Sequence, residues 1–351
     1  MSPEFYRAFQ DRHRGSRELI KARLGFYLPF IAPLRALYGT NPMLDLGCGR
    51  GEWLEILHAE GFTALGVDRD PAMLQDCRRL GLEVWDGDVL QFLKALPPAS
   101  QSVISGFHIA EHLAFDDLQA LIRESLRALK PGGLLILETP NPENLIVASS
   151  AFYLDPTHIR PLPPALLAFA VEFEGFHRFK TVRLQEDKRL SHKPQPSLLD
   201  VLGGVSPDYA IIAQKSASPA DLSAWDDVLG AEHGLTLDTI AVHYEQRLAQ
   251  AEHSASQALL AARQANECAD RAKQAVILAQ EQVSTFQTAL LRAEEVAQQS
   301  QTATRQAAEL ARQAADGLRA VLESRSWRLT APLRWIRRRF GKGPRGVPDQ
   351  K

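Results

Sequence analysis

The sequence contains little cysteine and no long uninterrupted hydrophobic run. The three cysteines, Cys48, Cys77 and Cys268, are odd in number and form no Cys-x-x-Cys pair, which is typical of a reducing compartment rather than of a disulfide framework. No apolar run reaches the about 18 residues that cross a membrane, and the amino terminus lacks the apolar segment of a signal peptide. These absences predict a cytoplasmic protein without a membrane-spanning helix.

The chain also lacks a strong net charge. Its 351 residues carry a formal net charge of −2, which gives no argument for nucleic-acid binding by the protein as a whole. With 45% hydrophobic residues the composition is globular, and the length allows two or three domains. Residues 220–331 contain no proline and residues 235–316 contain no glycine. Because both residues interrupt helices, a long helix is expected in this part of the chain.

Residues 43–58 combine an apolar strand, three glycines at alternate positions and an amphipathic helix. The glycines are Gly47, Gly49 and Gly51. This arrangement lets a backbone approach a nucleotide closely. Asp45 lies inside the strand, where a buried carboxylate needs a partner, and Asp68 ends the next apolar run at the distance at which such folds bind a ribose.

The motifs at 45–51, 66–68 and 85–88 resemble the first three motifs of class I S-adenosylmethionine (SAM) methyltransferases. A dinucleotide dehydrogenase would prefer Gly-x-Gly-x-x-Gly, and this chain has Glu52 after its third glycine. The resemblance implies SAM as the cofactor. We assign cofactor binding to Asp45, Gly47, Gly49, Asp68, Asp88, Val89, Phe107 and Arg14.

A helical segment at 4–38 precedes these motifs, and in class I methyltransferases such a segment often covers the SAM site. Its Arg12, Arg14 and Arg17 can bind the methionyl carboxylate through charge-assisted hydrogen bonds. A solvated helix face is an equally good interpretation for each of them. Arg14 is the arginine that we assign to the cofactor.

Strands and helices alternate between residues 42 and 140, which predicts a parallel sheet covered by helices on both faces. Strands are expected at 42–47, 63–68, 82–85, 102–107 and 133–139, and helices at 50–59, 71–80, 89–95 and 116–130. A helix at 163–173 and an antiparallel pair at 176–184 and 209–214 should complete the domain. The predicted fold class is therefore α/β: a Rossmann-like class I methyltransferase domain, followed by a long α-helical coiled coil and a short amphipathic C-terminal helix.

Three segments lie where the methyl acceptor is expected: 106–113, 137–142 and 152–161. The first resembles ubiquinone-type O-methyltransferases, and the three together resemble the methyltransferase domain of O-antigen chain-terminating (WbdD-type) proteins. That family caps a lipid-linked polysaccharide at its non-reducing end, and many members carry a kinase domain. This chain has no kinase signature, so direct O-methylation of a terminal sugar hydroxyl is the simpler hypothesis.

A sugar hydroxyl is a weak acid, so its methylation calls for a base or a metal. His108, His112 and His158 are candidate bases, and Glu111 and Asp155 are candidate orienting acids. A divalent metal held by His108, Glu111 and His112 is an alternative that we do not favour. Two structural alternatives also stay open: His112 can cap the following helix, and Glu111 can bind backbone amides.

A heptad repeat runs without interruption through 239–323, which predicts a coiled coil. As one straight helix, this segment would span roughly 120 Å. An additional apolar column favours a trimer over a dimer. Chain-terminating methyltransferases carry such a rod, so the resemblance implies self-association and a spacer role. The predicted domains are 1–215 (methyltransferase), 216–238 (linker), 239–323 (coiled coil) and 324–351 (tail).

The tail is basic and contains Trp327 and Trp335. A basic amphipathic helix is typical of a membrane-surface anchor, which predicts a peripheral position at the inner face of the cell membrane. The segment 324–334 also resembles one found in polysaccharide glycosyltransferases, so a glycosyltransferase partner is the competing hypothesis. The leading function is polysaccharide chain termination and length control, with methylation of a small lipid-soluble acceptor such as a quinone, or a non-catalytic scaffold, as alternatives.

Overall fold

The computed structural model divides the chain into two compact units, 1–241 and 242–351. It describes residues 5, 8–9, 12–13, 15–39, 41–190, 193–282, 287–324 and 327.

The first unit is built on a seven-stranded sheet with the strand order β3-β2-β1-β4-β5-β7-β6. The strands are β1 (Pro42–Leu46), β2 (Thr63–Asp68), β3 (Val84–Asp86), β4 (Gln101–Phe107), β5 (Leu129–Pro140), β6 (Arg178–Leu184) and β7 (Asp208–Gln214). The first five strands are parallel, whereas β7 pairs antiparallel with β5 and β6. Leu46 lies opposite Val67 and Gly106, so the ends of β1, β2 and β4 meet at one edge. The Rossmann-like methyltransferase fold is confirmed.

Helices surround this sheet. They are α1 (Arg17–Leu24), α2 (Leu28–Ile31), α3 (Leu34–Leu37), α4 (Glu52–Ala59), α5 (Pro71–Arg79), α6 (Val89–Ala95), α7 (Phe115–Ala128), α8 (Leu145–Ser149), α9 (Pro164–Phe173), α10 (Leu198–Gly203), α11 (Pro219–Leu222) and α12 (Asp226–Gly230). Helix α10 was not predicted, although Ser197 and Asp200 form a capping box that is readable in the sequence. Helix α7 ends at Ala128, two residues before the predicted boundary, because β5 begins at Leu129.

The helices bury one hydrophobic cluster on each face of the sheet. Leu118, Leu121 and Ile122 of α7 pack on one face, together with residues of α6 and α9. Tyr27 and Phe30 pack on the other face. Burial of this apolar surface is the main favourable contribution to folding, at about 25 cal/mol for each Å².

The segment 216–238 differs from the predicted linker. Trp225 is 1% exposed, and its indole N–H donates a hydrogen bond of 2.7 Å to the Phe30 carbonyl. Leu222 and Leu235 are also buried. The sequence signal of a linker, a run of serine, alanine and proline, is present, but the apolar residues that follow it complete the core of the first unit.

The second unit contains α13 (Leu237–Gln282) from Val242 onward and all of α14 (Gln287–Glu323). Among the predicted seam positions whose exposure is described, Ala262, Ala269 and Ala311 are buried, the others are half-buried, and Ala251 alone is exposed. The prediction of one straight helix is wrong: the Thr304 hydroxyl lies 3.4 Å from the Ala265 carbonyl. In a straight helix, residues 39 positions apart would be separated by about 58 Å. The seams therefore pack against each other within one chain.

The predictions for the tail lie almost wholly outside the described residues, which include only Ser324 and Trp327 beyond α14. In the described part of the chain, no helix combines the length and hydrophobicity needed to cross a membrane.

Candidate active site at the carboxyl edge of the sheet

The turn between β1 and α4 has a backbone that only glycine adopts readily. Gly47, Gly49 and Gly51 have φ angles of 70°, 52° and 77°. A Cβ atom on Gly51 would lie 2.7 Å from Leu82 Cδ1. The Gly47 N–H donates to the Val67 carbonyl at 2.8 Å, which ties the turn to β2. The turn therefore requires glycine for its left-handed backbone and, at Gly51, for close packing against Leu82.

Asp68 holds this turn from the end of β2. Its Oδ2 accepts a hydrogen bond from the Gly49 N–H at 2.8 Å, and its Oδ1 accepts from the Asp70 N–H at 2.9 Å. Asp45 is 3% exposed, and its Oδ1 accepts from the Ser105 hydroxyl at 2.8 Å. The partner expected for this buried acid is thus a hydroxyl on the neighbouring strand β4.

Asp88 and Val89 follow the end of β3, and Phe107 is the last residue of β4. Asp88 caps α6 by accepting from the Gln91 N–H at 2.7 Å and also pairs with Arg69, and Val89 is buried. The Phe107 ring lies 5.6 Å from the ring of Trp53. Trp53 is 1% exposed, and its indole N–H has no acceptor among the described residues.

Of the three candidate arginines before the sheet, the structure describes two. Arg14 lies outside the described residues, and Arg12 is exposed. Arg17 binds Glu55 at 2.9 Å and the Arg50 carbonyl at 2.9 Å. Arg17 therefore connects α1 to α4 and to the end of the glycine turn.

His108 lies at the start of the acceptor side with a left-handed φ of 55°, which is rare for a residue other than glycine. Its Nδ1 is 3.2 Å from Glu111, and its Nε2 is 3.3 Å from Glu138 and 3.9 Å from Asp208. Burial alone would lower the pKa of His108, but the hydrogen bonds to Glu111 and Glu138 raise that pKa well above 6.5. His108 is therefore an imidazolium whose two N–H groups both donate.

Three residues around His108 were not assigned from the sequence as site residues. Tyr27 donates a hydrogen bond to Oε2 of Glu138, and Asp208 lies at the start of β7. Burial raises the pKa of Asp208 to about 6. Glu138 could have been found, because it lies near the carboxyl end of a predicted strand. No local sequence pattern marks Tyr27 or Asp208 as a site residue.

Glu111 is fully buried and connects the acceptor residues. Its Oε1 binds His108, and its Oε2 accepts from the Thr139 hydroxyl at 2.9 Å. Burial would raise the pKa of Glu111, but the hydrogen bond from His108 and the charge of that ring lower it. Glu111 is thus a carboxylate, as expected for an orienting acid.

His158 has one ring nitrogen whose protonation is fixed by its partner. Nδ1 lies 2.6 Å from the Phe152 carbonyl, which can only accept, so Nδ1 carries the hydrogen. Nε2 is then the ring nitrogen that can accept a proton. It lies 4.0 Å from Glu111 Oε1 and 4.0 Å from Asp155 Oδ2.

The proton arrangement of His112 follows from a chain of hydrogen bonds. The Thr157 hydroxyl donates to Asp155 at 2.6 Å, so it must accept from Nδ1 of His112 at 2.9 Å. Burial lowers the pKa of His112, which keeps the ring neutral with a free Nε2. Burial alone would raise the pKa of Asp155, but the hydrogen bonds from the side chain and backbone of Thr157 lower it. His112 does not cap α7, whose first turn has no side-chain cap.

Two groups of these side chains have ligand atoms within 4.8 Å of one another. One contains Glu111, His112 and His158, and the other contains His108, Glu138 and Asp208. All five predicted catalytic residues, which are His108, Glu111, His112, Asp155 and His158, are thus brought together at this edge. The His112 and His158 rings are 4.7 Å apart.

The comparisons with known proteins agree with this geometry. The profile of a family described as "Methyltransferase domain" matches residues 14–176. The crystal structure of a SAM-dependent methyltransferase from Archaeoglobus fulgidus is 32% identical, with 60% of this chain and 100% of that chain covered at a TM-score of 0.54. The chain belongs to the SAM-dependent methyltransferases.

Two curated relatives of this methyltransferase extend the comparison. A probable SAM-dependent methyltransferase from Mycolicibacterium smegmatis is 29% identical over 192 residues, which are 54% of this chain and 69% of that protein. A ubiquinone biosynthesis O-methyltransferase from Idiomarina loihiensis is 31% identical over 110 residues, which are 30% of this chain and 44% of that protein. The chain spans less than half of that second relative.

The residues present fit SAM. Gly47, Gly49 and Gly51 carry no Cβ atom at the left-handed positions of the turn, and Asp68 is held at the turn by two backbone N–H groups. The Trp53 indole N–H is a buried donor without an acceptor among the described residues, beside Phe107. SAM would be held by the glycine turn, by Asp68 at the ribose and by the Asp88–Val89 segment at the adenine.

Proposed function

We propose that this methyltransferase transfers a methyl group to a hydroxyl at the non-reducing end of a bacterial cell-surface polysaccharide. One observation carries the O-methyl part of the proposal: His112 and His158 each have one nitrogen held as a donor and the other free to accept a proton. The polysaccharide part is supported by the resemblance of 106–113, 137–142 and 152–161 to chain-terminating methyltransferases.

SAM supplies the methyl group when it is bound. The protein must place the acceptor oxygen in line with that methyl group, exclude water and take up the hydroxyl proton. His158 is the base in this proposal, because its Nδ1–H is fixed on the Phe152 carbonyl and its Nε2 is free. Protonation creates an imidazolium, which Glu111 and Asp155 stabilise from 4.0 Å.

His108 has a different role from His158. Its two N–H groups are committed to Glu111 and Glu138, so it cannot accept a proton. It neutralises the carboxylates that β5 and β7 bring to the acceptor side, and it orients Glu111 toward His158. In this proposal His158 takes the proton without a metal ion, although the spacing of these residues would accommodate one.

A second candidate acceptor is a small lipid-soluble molecule such as a quinone. It is favoured by the similarity to proteins named ubiquinone biosynthesis O-methyltransferases. The same base would serve a phenolic hydroxyl, which is a stronger acid than a sugar hydroxyl.

We also propose that the basic tail holds the enzyme at the cytoplasmic face of the cell membrane, where a lipid-linked acceptor would be met. Between Glu323 and Asp349 the sequence contains eight basic residues and no acidic residue. Each basic residue near an anionic surface contributes about 1 kcal/mol. A glycosyltransferase partner for the tail is the alternative.

The test uses methyl-labelled SAM, the purified protein and membranes from the source cell. Label in the glycan that remains on the released sugar after hydrolysis is the expected result. Label in the lipid extract would instead establish the small lipid-soluble acceptor. The His158→Ala variant is the control, because it should bind SAM and transfer label at least about 100-fold more slowly. Bound SAM with no label in any fraction, from the wild-type protein, would contradict both acceptors.

A further inference from the structure

The second unit pairs its two helices antiparallel. Starting from the contact between Ala265 and Thr304 and counting in opposite directions, Ala262 comes opposite Ala307, and Ala311 comes opposite Ala258. Each of these four alanines is buried or half-buried, as this pairing requires. The heptad repeat then places the remaining positions of both helices on two flanks of the pair.

One flank carries little charge, and we call it the glutamine face. Its residues are Ser254, Gln257, Ala261, Gln264 and Cys268 of α13 and Val296, Gln299, Ala303, Gln306, Leu310, Gln313 and Gly317 of α14. All of them are exposed within one chain, and Val296 and Leu310 are 61% and 65% exposed. In a chain in which 23% of the residues are charged, a face of this length whose one described charge is Arg271, at its end, is unusual.

The opposite flank of the same two helices is the charged face. Its residues include Glu252, Arg263, Asp270, Glu294, Arg305, Arg312 and Arg319, all exposed. The two flanks lie on the same two helices and are both exposed to solvent. Helix propensity therefore does not explain why they differ in charge. A flank that stays in water gains solubility from charge, whereas a flank that is covered must avoid unpaired charge.

We propose that the glutamine face binds the same face of a second copy of this chain, so that two helix pairs form a four-helix dimer. Glutamine amides both donate and accept hydrogen bonds, so a face lined by them is complementary to itself across a two-fold axis. Alanine, serine and glycine between the glutamines let the helices approach closely, and Val296 and Leu310 add apolar surface.

The available area is sufficient for a dimer. The glutamine face is about 30 Å long and about 20 Å wide, from helix rise and diameter, which is about 600 Å² on each copy. The total of about 1,200 Å² lies at the lower end of specific protein interfaces. The expected trimer assumed a straight rod whose seams were free for other chains, and in the structure these seams are already paired within the chain.

The experiment compares two double variants of the full-length protein by sedimentation equilibrium. Ala261→Glu with Ala303→Glu puts one charge on each helix of the glutamine face. Ala249→Glu with Ala308→Glu makes the same change on the charged face, also at exposed alanines. The wild-type protein should have twice the chain mass of 38.9 kDa. The first pair should raise the dissociation constant at least about 100-fold, and the second by less than about threefold.

A second measurement reports the number of copies directly. Cys268 is the exposed cysteine of the glutamine face, whereas Cys48 and Cys77 are buried, so a spin label can be attached to Cys268 alone. The dipolar modulation depth should correspond to two labels for each assembly. Far-ultraviolet circular dichroism and SAM binding verify that each variant is folded. A monomeric or trimeric wild-type protein, or equal weakening by both pairs, would overturn the proposal.

Discussion

The two halves of the carboxyl edge use different chemistry. In the donor half, formed by the glycine turn, Asp68 and Asp88, each carboxylate accepts backbone N–H groups at 2.7–2.9 Å. In the acceptor half, three histidines lie close together with different hydrogen-bond partners: both ring nitrogens of His108 face carboxylates, whereas His112 and His158 each have Nδ1 held by an oxygen acceptor. The donor half is fixed by the backbone, and the acceptor half by side chains that bond to one another.

This difference matches what each half must do. Holding a cofactor requires donors and acceptors that stay the same during a catalytic cycle, which backbone amides provide. Taking a proton from an acceptor hydroxyl requires a group that changes its charge. The acceptor half supplies such a group beside carboxylates that stabilise it. Substitutions in one half should therefore leave the property of the other half unchanged.

The largest effect is expected for His158→Ala. The turnover number should fall by about 10²- to 10⁴-fold, because the hydroxyl proton loses its acceptor. The dissociation constant for SAM, measured by calorimetry, should stay within about twofold, because the donor half is intact. His177→Ala, at an exposed histidine away from this edge, is the control. Equal losses of SAM binding and turnover would show that the halves are not separate.

Asp68→Asn should have the reverse effect. It keeps the size of the side chain but removes the charge that accepts from Gly49 and Asp70, and hydrogen bonds to a charged group contribute about 1.5–3 kcal/mol. SAM should bind about 10- to 100-fold more weakly, with the turnover number at saturating SAM within about threefold. Asp76→Asn is the matched control on α5. A lower turnover number with unchanged SAM affinity would contradict the assignment of Asp68.

The two halves also differ in how much the sequence predicts. The glycine turn and Asp68 lie within 22 residues of one another, and each has a local pattern: alternate glycines, or an acid at a strand end. The acceptor half joins residues that are far apart. His112 meets Thr157 across 45 positions, and Asp208 reaches His108 only because β7 inserts antiparallel beside β5. Single motifs contain no signal for such contacts.

The second unit shows a related limit. The heptad seams were predicted, and the seam positions whose exposure is described are buried or half-buried, apart from Ala251. Their partner was not predicted, because an apolar seam has the same pattern whether it packs against another chain or against the next helix of its own chain. The absence of proline and glycine favoured one continuous helix. The Ala265–Thr304 contact shows that this absence did not determine how the helices pack.

His108→Gln tests stability in the acceptor half. Removing the cation leaves Glu111 and Glu138 without their partner, and because His108 is half-exposed we expect a loss of only about 1–2 kcal/mol in the free energy of unfolding. The pKa of His108 is raised in the fold, so its contribution is full below pH 6.5 and declines as pH rises through the higher folded value.

Urea unfolding of both proteins at pH 6.0 and pH 8.5 measures this difference. The gap in stability between the wild-type protein and His108→Gln should be larger at pH 6.0. A gap that grows with pH would mean that His108 is neutral in the fold. His177→Gln serves as the control. Its difference in stability from the wild-type protein should not include the contribution that His108 makes to Glu111 and Glu138.

The smallest effect is expected for Thr157→Val, which keeps the shape of the side chain but removes the acceptor for His112 Nδ1–H. One neutral hydrogen bond contributes about 1 kcal/mol, so the turnover number should fall by about 3- to 10-fold while SAM affinity stays unchanged. Nitrogen-15 spectra of His112 should show the proton on Nδ1 in the wild-type protein and both tautomers in the variant. Thr181→Val, on β6, is the matched control. If the tautomer changes while turnover does not, His112 has no part in positioning the acceptor, and the catalytic work of the acceptor half falls to His158 alone.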